Sequence, residues 1–301
     1  MNKEILPTYD LEAAAAALAA SGDYRVLRRI EPSSIYCDLG EQEARKGLIL
    51  DIETTGLSFE EDRIIELGII PFEYGAETGE VGRVYPPVSF LEDPGRDLPD
   101  KIVELTGITT EMVKGKRIED RAVQVLFDES ALVIAHNAGF DRPFVDRRFE
   151  FSKGKPWACS WIEVPWSDFG FKCAKLECLL PSKSGAFVDA HRASNDCMAL
   201  LHILASPFAD GTVPMTILLD SARQATCRIW AVQAPFDVKD ILKGRGYRWN
   251  PGENGDPKAW WVDVRETDLE TELEWLKENG YSGRNGPWEV RKFSAKTRYC
   301  S

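Results

Sequence analysis

The sequence predicts an α/β domain followed by a small α+β domain. Strand-like apolar runs alternate with helix-like segments over about residues 24–210, and a linker containing Pro, Gly, Asp and Thr follows at 207–214. Six of the nine tryptophans lie beyond that linker. The chain has 301 residues, 44% of them hydrophobic, which is enough to bury a sizeable core. The expected units are an N-terminal helix with an extended lead-in, the α/β domain and the small domain, at residues 1–46, 47–207 and 214–301.

The first element is an Ala-rich segment at residues 11–20, which predicts a short helix. Thr8 or Asp10 is the expected N-cap, and Gly22 is expected just after the last turn. The segment imitates the apolar core of a signal peptide, but acidic residues precede it and alanine is only weakly hydrophobic. We therefore expect a structural helix here, followed by an extended segment at 24–30.

The remaining elements follow from the spacing of apolar residues, which is short and continuous in buried strands and recurs every three or four positions in helices. In the first domain, strands are expected at residues 47–53, 63–72 and 131–135, and helices at 100–105, 118–129, 141–148 and 194–205. In the second domain, strands are expected at 226–233 and 258–264, and helices at 238–244 and 268–280.

The charge balance argues against a general nucleic-acid coat protein. The net charge is −12, from 37 basic and 49 acidic side chains, whereas such proteins neutralise phosphates with a surplus of Lys and Arg. Apolar runs are shorter than the roughly 18 residues that a membrane span needs, so we expect a cytoplasmic protein with no membrane contact. The seven cysteines form no CxxC pair, which favours reduced thiols over disulfides.

Two acids mark the end of the first predicted strand. Asp51 and Glu53 are two residues apart, so both carboxylates project from the same face. Paired acids at a strand end repel each other unless a cation binds them. The following Thr-Thr-Gly-Leu at residues 54–57 supplies hydroxyl groups and a flexible backbone, which favours a site over a solvated strand end.

Two further acids occur in motifs that also contain histidine. Asp141 ends the segment His-Asn-Ala-Gly-Phe-Asp that begins at His136, and it serves either as a ligand or as a helix cap. Asp196 follows His191 by five residues and lies on the apolar face of a helix, where an unpaired carboxylate is costly. The third histidine, His202, has no acidic neighbours and is expected to pack within its helix.

Four carboxylates without a cysteine or histidine cluster predict a site for hard divalent cations, Mg²⁺ or Mn²⁺. Two such ions roughly 4 Å apart can activate a water and stabilise the leaving oxygen of an in-line phosphoryl displacement. A histidine is the natural base for that water.

This order of motifs resembles the DEDDh 3′-to-5′ exonucleases, the family of the proofreading epsilon subunit of bacterial DNA polymerase III. The resemblance runs from about Gly47 to Leu204 and includes the Glu-Leu-Thr-Gly-Ile-Thr segment at 104–109. It implies a ribonuclease-H-like fold, in which a mixed sheet is flanked by helices. It also implies an enzyme, a phosphodiester hydrolase that releases nucleoside 5′-monophosphates.

The same resemblance assigns roles to individual residues. Two divalent metals would be held by four acids, namely Asp51, Glu53, Asp141 and Asp196. His191 would take the proton from the attacking water. The positions around the terminal nucleotide would be Thr54, Leu57, Leu105, Thr106 and Phe140. For Phe140, stacking on a base and packing in the core are both open.

Three functions remain open at this point. The first is a metal-dependent exonuclease on single-stranded DNA 3′ ends, in proofreading or repair. The second is an RNA 3′-end-trimming exoribonuclease of the same family, because the residues that would sense a 2′-hydroxyl cannot be placed. The third is an inactive interaction protein with the exonuclease fold, which the intact set of five catalytic positions disfavours.

The small domain allows nucleic-acid binding, protein-partner binding or a purely structural role. Basic residues interleave with aromatic ones, namely Lys239, Lys243, Arg245, Arg248 and Lys258 with Tyr247, Trp249, Trp260 and Trp261. A basic tail is expected to supply phosphate contacts through Arg284, Arg291, Lys292, Lys296 and Arg298. Truncation after Pro207 is then expected to spare dinucleotide hydrolysis but weaken the binding of longer strands. The aromatic residues at 157–161 are expected to pack the first domain.

Overall fold

A computed structural model describes residues 10–31, 33–252 and 255–300. In these residues the chain forms a six-stranded mixed sheet flanked by helices, a two-stranded sheet and a separate four-stranded sheet. The predicted architecture of an α/β domain with an additional small α+β unit is confirmed. Over the same ranges, none of the helices has the length and apolar character needed to cross a membrane.

The elements before Thr226 include nine helices and eight strands among the described residues. In chain order they are α1 (Leu11–Ser21), β1 (Arg28–Arg29), β2 (Ala44–Thr54), β3 (Ile64–Gly75), β4 (Val81–Val84), β5 (Val88–Leu91), α2 (Asp100–Thr106), α3 (Thr110–Val113), α4 (Asp120–Glu129), β6 (Leu132–Ala135), α5 (Ala138–Arg148), β7 (Trp157–Cys159), α6 (Ser160–Glu163), α7 (Leu176–Ser184), β8 (Ala186–Phe187), α8 (Ala193–Ala205) and α9 (Pro214–Arg223). The later elements are β9 (Thr226–Ala231), α10 (Lys239–Arg245), β10 (Arg248–Asn250), β11 (Ala259–Arg265), α11 (Leu269–Gly280) and β12 (Glu289–Phe293).

The large sheet has the order β4-β3-β2-β6-β7, with β5 also paired to β3. β2 runs antiparallel to β3 but parallel to β6, and β7 is parallel to β6. The carboxyl ends of β2, β6 and β7 therefore lie along one edge of the sheet. Strand alternation sends Leu48, Leu50 and Ile52 into the core beneath α4 and α5, while Ile49 packs beneath α8.

The N-terminal helix begins and ends where its capping residues predict. The Asp10 carboxylate accepts a hydrogen bond from the Ala13 N–H at 3.0 Å, and Gly22 has the left-handed φ of 78° that ends the helix. Thr8, the other candidate cap, lies outside the described residues. Of the extended segment predicted at 24–30, only Arg28–Arg29 forms a strand, which pairs with β8.

The small sheet has the order β10-β11-β9-β12 and is antiparallel throughout. α10 and α11 cover one face, around a core that contains Ile229, Leu242, Tyr247 and Leu276. The sequence predicted β9, β11 and both helices but missed the short outer strands β10 and β12.

Helix α9 belongs to the core beneath the large sheet. Its Met215, Leu218 and Leu219 are buried in the same cluster as the inner face of α8. The domain division at residue 214 stays a prediction, but the sheet of the small unit begins only at Thr226. This packing argues against the expectation that truncation after Pro207 spares dinucleotide hydrolysis, because the truncation removes buried core side chains of α9.

The expected basic tail is largely folded into the protein. We call residues 294–300 the return segment, because they pack against β7, where the Trp157 N–H donates to the Ala295 carbonyl at 2.8 Å. Arg298 is buried and donates to the Glu163 carboxylate at 2.9 Å. Arg291 and Lys292 pair with Asp256 and Glu266 at 2.9 and 2.5 Å. The expectation that Arg298 contacts phosphates is therefore wrong, while Arg284 and Lys296 remain exposed.

One expectation about cysteines is also wrong. Cys173 and Cys178 are joined by a disulfide, and their Cα atoms lie 6.0 Å apart, within the range that a disulfide spans. Only five positions separate them in the sequence, so a short loop brings them together. The other five cysteines are free.

Candidate active site

The first two acids share one face of β2, as their spacing predicts. Asp51 lies opposite Gly68 on β3, and Glu53 lies opposite Glu66. One carboxylate oxygen from each of Asp51, Glu53 and Asp196 lies within 4.8 Å of the others, and all three side chains are half-buried. The fold therefore places the carboxylates of Asp51 and Asp196, which are far apart in the sequence, close together.

Helix α8 delivers Asp196 because it begins directly against the sheet. A Cβ atom on Gly68 would lie 2.5 Å from the carbonyl carbon of Ala193, so this close approach requires glycine on β3. The Asp196 carboxylate accepts the backbone N–H of His191 at 3.0 Å. His191 is exposed and has a left-handed φ of 62°, so the loop before α8 places the histidine beside the acidic group.

Asp141 lies in the first turn of α5, on the opposite side of the sheet from α8. Its side chain is buried, and the backbone of Ile52 hydrogen-bonds its carboxylate. Asp141 is outside the 4.8 Å group, but among charged groups it is the strongest influence on the pKa of Asp51. Four acids from β2, α5 and α8 therefore converge at the carboxyl edge of the sheet.

The acids strongly disfavour one another's ionisation. Burial, reinforced by the charge of Asp196, raises the pKa of Glu53 to about 8. Burial likewise raises the pKa of Asp196 to about 6. The pKa values of Asp51 and Asp141 lie well above the ordinary range, in both cases chiefly because of burial. Such a group becomes fully charged near neutral pH only when cations compensate it.

The composition of this group fits a divalent metal. Its ligand atoms are carboxylate oxygens without sulfur or imidazole nitrogen, which suits hard cations such as Mg²⁺ and Mn²⁺. The raised pKa values give an independent reason, because a bound cation stabilises the ionised carboxylates against burial and mutual repulsion. The identity and number of the ions remain predictions.

A fifth acid at this site, Glu66, escaped the sequence interpretation. It is completely buried and shares a face with Glu53 across the strand pair. Its carboxylate accepts hydrogen bonds from Arg192 at 2.9 and 3.1 Å and from Ser89 at 2.7 Å. The Ala193 N–H donates to it at 3.1 Å. Burial acts to raise the pKa of Glu66, but these hydrogen bonds outweigh it and hold the pKa below its ordinary value.

Glu66 and Arg192 thus attach the start of α8 to the sheet. They stand beside Asp196 on that helix and His191 in the loop before it, the two residues predicted to act in catalysis. The sequence feature that could have identified Glu66 is a single glutamate inside the otherwise apolar run at 64–70. A buried charge of this kind requires a partner, and Arg192 adjoins one of the histidines that the sequence had singled out.

The predicted substrate positions divide into exposed and buried side chains. Leu57 and Leu105 are 87% and 49% exposed, as contact with a ligand requires. Thr54 and Thr106 are buried, and their hydroxyl groups donate to the carbonyls of Gly56 and Ile102 at 2.5 and 2.9 Å. Substrate contact stays a prediction for all four of these residues.

Phe140, the fifth substrate position, is half-buried, with its ring 5.1 Å from that of Phe144. Core packing is therefore part of its role, and stacking on a base stays a prediction.

The other two histidines have structural contacts. His136 shares a hydrogen bond of 2.7 Å with the Ser160 hydroxyl, and burial lowers the pKa of His136 to about 4. His202 hydrogen-bonds the Tyr36 hydroxyl at 3.2 Å, consistent with packing in its helix. Trp157 is buried as predicted, but Trp161 is 41% exposed, so the expectation that both aromatics pack the core is wrong for Trp161.

Comparison with known proteins shows which family the chain belongs to. The model of the RNase_T exonuclease family matches residues 48–204, which is more than half of the chain. The chain belongs to this exonuclease family. The resemblance to DEDDh-type exonucleases seen in the sequence is thereby confirmed, and the matched residues contain all five predicted catalytic positions.

Similar proteins extend the comparison. The exonuclease chain is 35% identical over 119 residues to a PolC-type DNA polymerase III of Thermotoga maritima, covering 39% of this chain and 8% of that protein. It is 30% identical over 171 residues to the PolC-type DNA polymerase III of Halalkalibacterium halodurans, covering 55% of this chain and 11% of that one. The chain therefore spans about a tenth of the length of these relatives.

A solved structure confirms the fold. The zinc-bound crystal structure of an E. coli ExoI–ssDNA complex superimposes with a TM-score of 0.50 at 14% identity, covering 80% of this chain and 71% of that one. The likeness supports the mixed sheet flanked by helices that the resemblance implied.

Proposed function

We propose that this exonuclease is a metal-dependent 3′-to-5′ enzyme that releases nucleoside 5′-monophosphates from single-stranded DNA ends, in proofreading or repair. The observation that carries the proposal is the convergence of Asp51, Glu53, Asp141 and Asp196 from three separate elements. DNA is favoured over RNA because the relatives with 30–35% identity are DNA polymerases.

In this proposal the four acids hold two divalent cations, Mg²⁺ or Mn²⁺. When bound, such ions lower the pKa of water and stabilise the charge on the leaving oxygen of an in-line displacement. His191 accepts the proton of the attacking water, since its backbone is fixed to Asp196 at the edge of the acidic group. Leu57 and Leu105 present apolar surface to the terminal nucleotide.

Cleavage of matched DNA and RNA oligonucleotides tests the proposal. Each carries a 5′ label and is incubated with excess enzyme and Mg²⁺, so that a single turnover is observed. We expect a ladder of DNA products that shorten one nucleotide at a time from the 3′ end, loss of cleavage with chelator, and recovery with Mn²⁺. Release of a labelled mononucleotide from the 5′ end, or full turnover in excess chelator, would contradict it.

The same assay separates the competing functions. A clear preference for the RNA oligonucleotide would transfer the proposal to RNA trimming. An interaction protein that has lost activity would leave both oligonucleotides intact at every metal concentration.

A further inference from the structure

The half-exposed Trp161 lies at the same edge of the sheet as the acidic group. β2, β6 and β7 are successive parallel strands, and α6 begins where β7 ends. Because neighbouring strands lie about 4.8 Å apart, α6 begins roughly 10 Å from β2. Trp161 and the adjacent Ile162 are 41% and 61% exposed. This is apolar surface within the reach of one or two nucleotides from the acids.

The ring of Trp161 is supported from one side. It stacks on His136, with 5.7 Å between ring centroids and 11° between ring planes. His136 is in turn fixed by its hydrogen bond to Ser160, the first residue of α6. The low pKa that burial gives His136 keeps that ring uncharged near neutral pH, so Trp161 stacks on an uncharged aromatic ring. A base can therefore stack on the outer face of the tryptophan.

The short helix that carries Trp161 is anchored at its other end. The Glu163 carboxylate accepts hydrogen bonds from the Cys159 N–H at 2.9 Å and from the Tyr299 hydroxyl at 2.7 Å. Arg298 adds a charged hydrogen bond at 2.9 Å. Four residues alone would make a weakly ordered helix. The return segment thus holds α6 in place, which lowers the entropic cost of binding a ligand on it.

The loop that contacts His136 carries two exposed lysines. The backbone of Ala174 is beside His136, and Lys172 and Lys175 lie two residues before and one residue after Ala174. Lys175 forms an exposed ion pair with Glu177 at 3.5 Å. The Cys173–Cys178 disulfide constrains the same loop. Proteins bind single strands by stacking a base on an aromatic ring and attracting the phosphates with cations. Trp161 offers such a ring, and Lys172 and Lys175 belong to the loop that contacts its supporting histidine.

We propose that Trp161, supported by His136, is a stacking platform for an unpaired base of the strand upstream of the scissile phosphate. This inference rests on the proposed exonuclease function and adds a second contact region to it. Because every base has an aromatic face, the platform favours single strands without selecting a sequence.

The test compares two substrates that differ only in whether they have an upstream strand. The p-nitrophenyl ester of thymidine 5′-monophosphate has none, and a ten-residue oligothymidylate has one. Both are assayed with Mg²⁺ for the wild-type enzyme, for Trp161→Ala and for Trp161→Phe. Phe236→Ala is the matched control, since Phe236 is 78% exposed beside Lys239 but lies in the small unit.

We expect Trp161→Ala to raise the half-saturating concentration of oligothymidylate by about 5- to 150-fold, the range for loss of one stacked base. The rate at saturation and the hydrolysis of the p-nitrophenyl ester should stay within about twofold of the wild type. Trp161→Phe should retain most of the affinity because it keeps an aromatic face. Phe236→Ala should behave as the wild type.

Unchanged affinity in Trp161→Ala, or an equal loss in Phe236→Ala, would overturn the inference. Slower hydrolysis of the p-nitrophenyl ester by Trp161→Ala would also overturn it, because it would show that Trp161 supports the chemistry through His136. A wild-type enzyme that cleaves neither substrate would instead refute the proposed exonuclease function, so the two failures are distinguishable.

Discussion

The two main sheets of the molecule treat charged side chains in opposite ways. On the small sheet, Arg228 donates two hydrogen bonds to Asp263 at 2.7 and 2.8 Å, and its guanidinium lies 4.0 Å from the ring of Trp261. At the edge of the large sheet, Asp51 and Glu53 share a face with further acids, and neither forms an ion pair with any residue in the described ranges. The small sheet pairs Arg228 with Asp263, whereas the carboxyl edge of the large sheet leaves Asp51 and Glu53 available for a ligand.

This difference shows that unpaired charged residues indicate a functional site better than paired ones do. Interleaved basic and aromatic residues made the small domain a candidate nucleic-acid surface, yet Arg245 and, in the basic tail, Arg291 and Lys292 already have acidic partners. Uncompensated carboxylates raise the free energy of the folded protein, and such a cost is expected at a functional site. The acidic edge is therefore the stronger indication of a site, although it carries the charge opposite to that expected for contact with a polyanion.

The largest expected effect comes from removing one of the carboxylates at the acidic edge of the large sheet. Asp51→Asn should lower kcat by about 10⁴-fold, because it removes several kcal/mol of metal-dependent stabilisation of the transition state. It should also raise the Tm of the metal-free protein, since one buried like charge is lost.

The matched control is Asp263→Asn on the small sheet. It should keep full activity and lower the free energy of unfolding by about 1 kcal/mol or less, because the pair with Arg228 is partly exposed. Thermal unfolding in EDTA and steady-state kinetics measure both variants. Equal effects on activity would show that the two sheets do not differ in function.

His191→Ala tests whether the histidine beside the acidic edge acts as the general base. Loss of a general base should reduce kcat by about 10²- to 10⁴-fold and leave metal affinity nearly unchanged. The acidic limb of the pH–rate profile should change as well. His202→Ala removes a histidine that contacts Tyr36 and should retain kcat. If His191→Ala lowers only the Tm, its role is structural.

The ion pairs of the C-terminal region provide a contrast in stability. Arg298→Met leaves the buried Glu163 without its charged partner and should lower the free energy of unfolding by about 3–5 kcal/mol. Lys292→Met breaks an exposed pair with Glu266 and should cost about 1 kcal/mol or less. Urea unfolding measures both. Partial recovery in the double variant Arg298→Met, Glu163→Gln would identify the unpaired carboxylate as the cause.

The smallest expected effect is a dependence of stability on pH. The folded-state pKa values of Asp196 and Glu53 are raised to about 6 and about 8, above their values in the unfolded chain. Their protonated forms therefore stabilise the fold below about pH 4, and this contribution is lost between about pH 4 and pH 6 for Asp196 and between about pH 4 and pH 8 for Glu53. The Tm of the metal-free protein should fall by several degrees over that range, and Mg²⁺ should restore it. A constant Tm would contradict the raised values.

The sequence predicted the parts of the site that depend on local pattern. The spacing of Asp51 and Glu53 placed both on one face, and the apolar stripe of α8 placed Asp196 inward. It could not predict contacts between residues far apart in the chain. Glu163 and Arg298 are 135 residues apart, and each reads locally as an exposed charge. The expectation that Trp161 is buried was wrong for a related reason. In the sequence, the residues around a half-exposed aromatic look the same as those around a buried one.

The hydrogen bonds of the Arg142 guanidinium affect the order in which the protein folds during its synthesis. It donates to the carbonyls of Ala295, Lys296 and Arg298 at 3.3, 2.6 and 2.5 Å, and these contacts join residues 153–156 positions apart. Chains emerge from the ribosome N-terminus first, and contacts so distant in sequence form late. α5, which also carries Asp141, therefore reaches its final packing only after synthesis has passed Arg298. A nascent chain that has completed only the large sheet keeps the Arg142–Asp146 ion pair but lacks the three carbonyl partners of the Arg142 guanidinium.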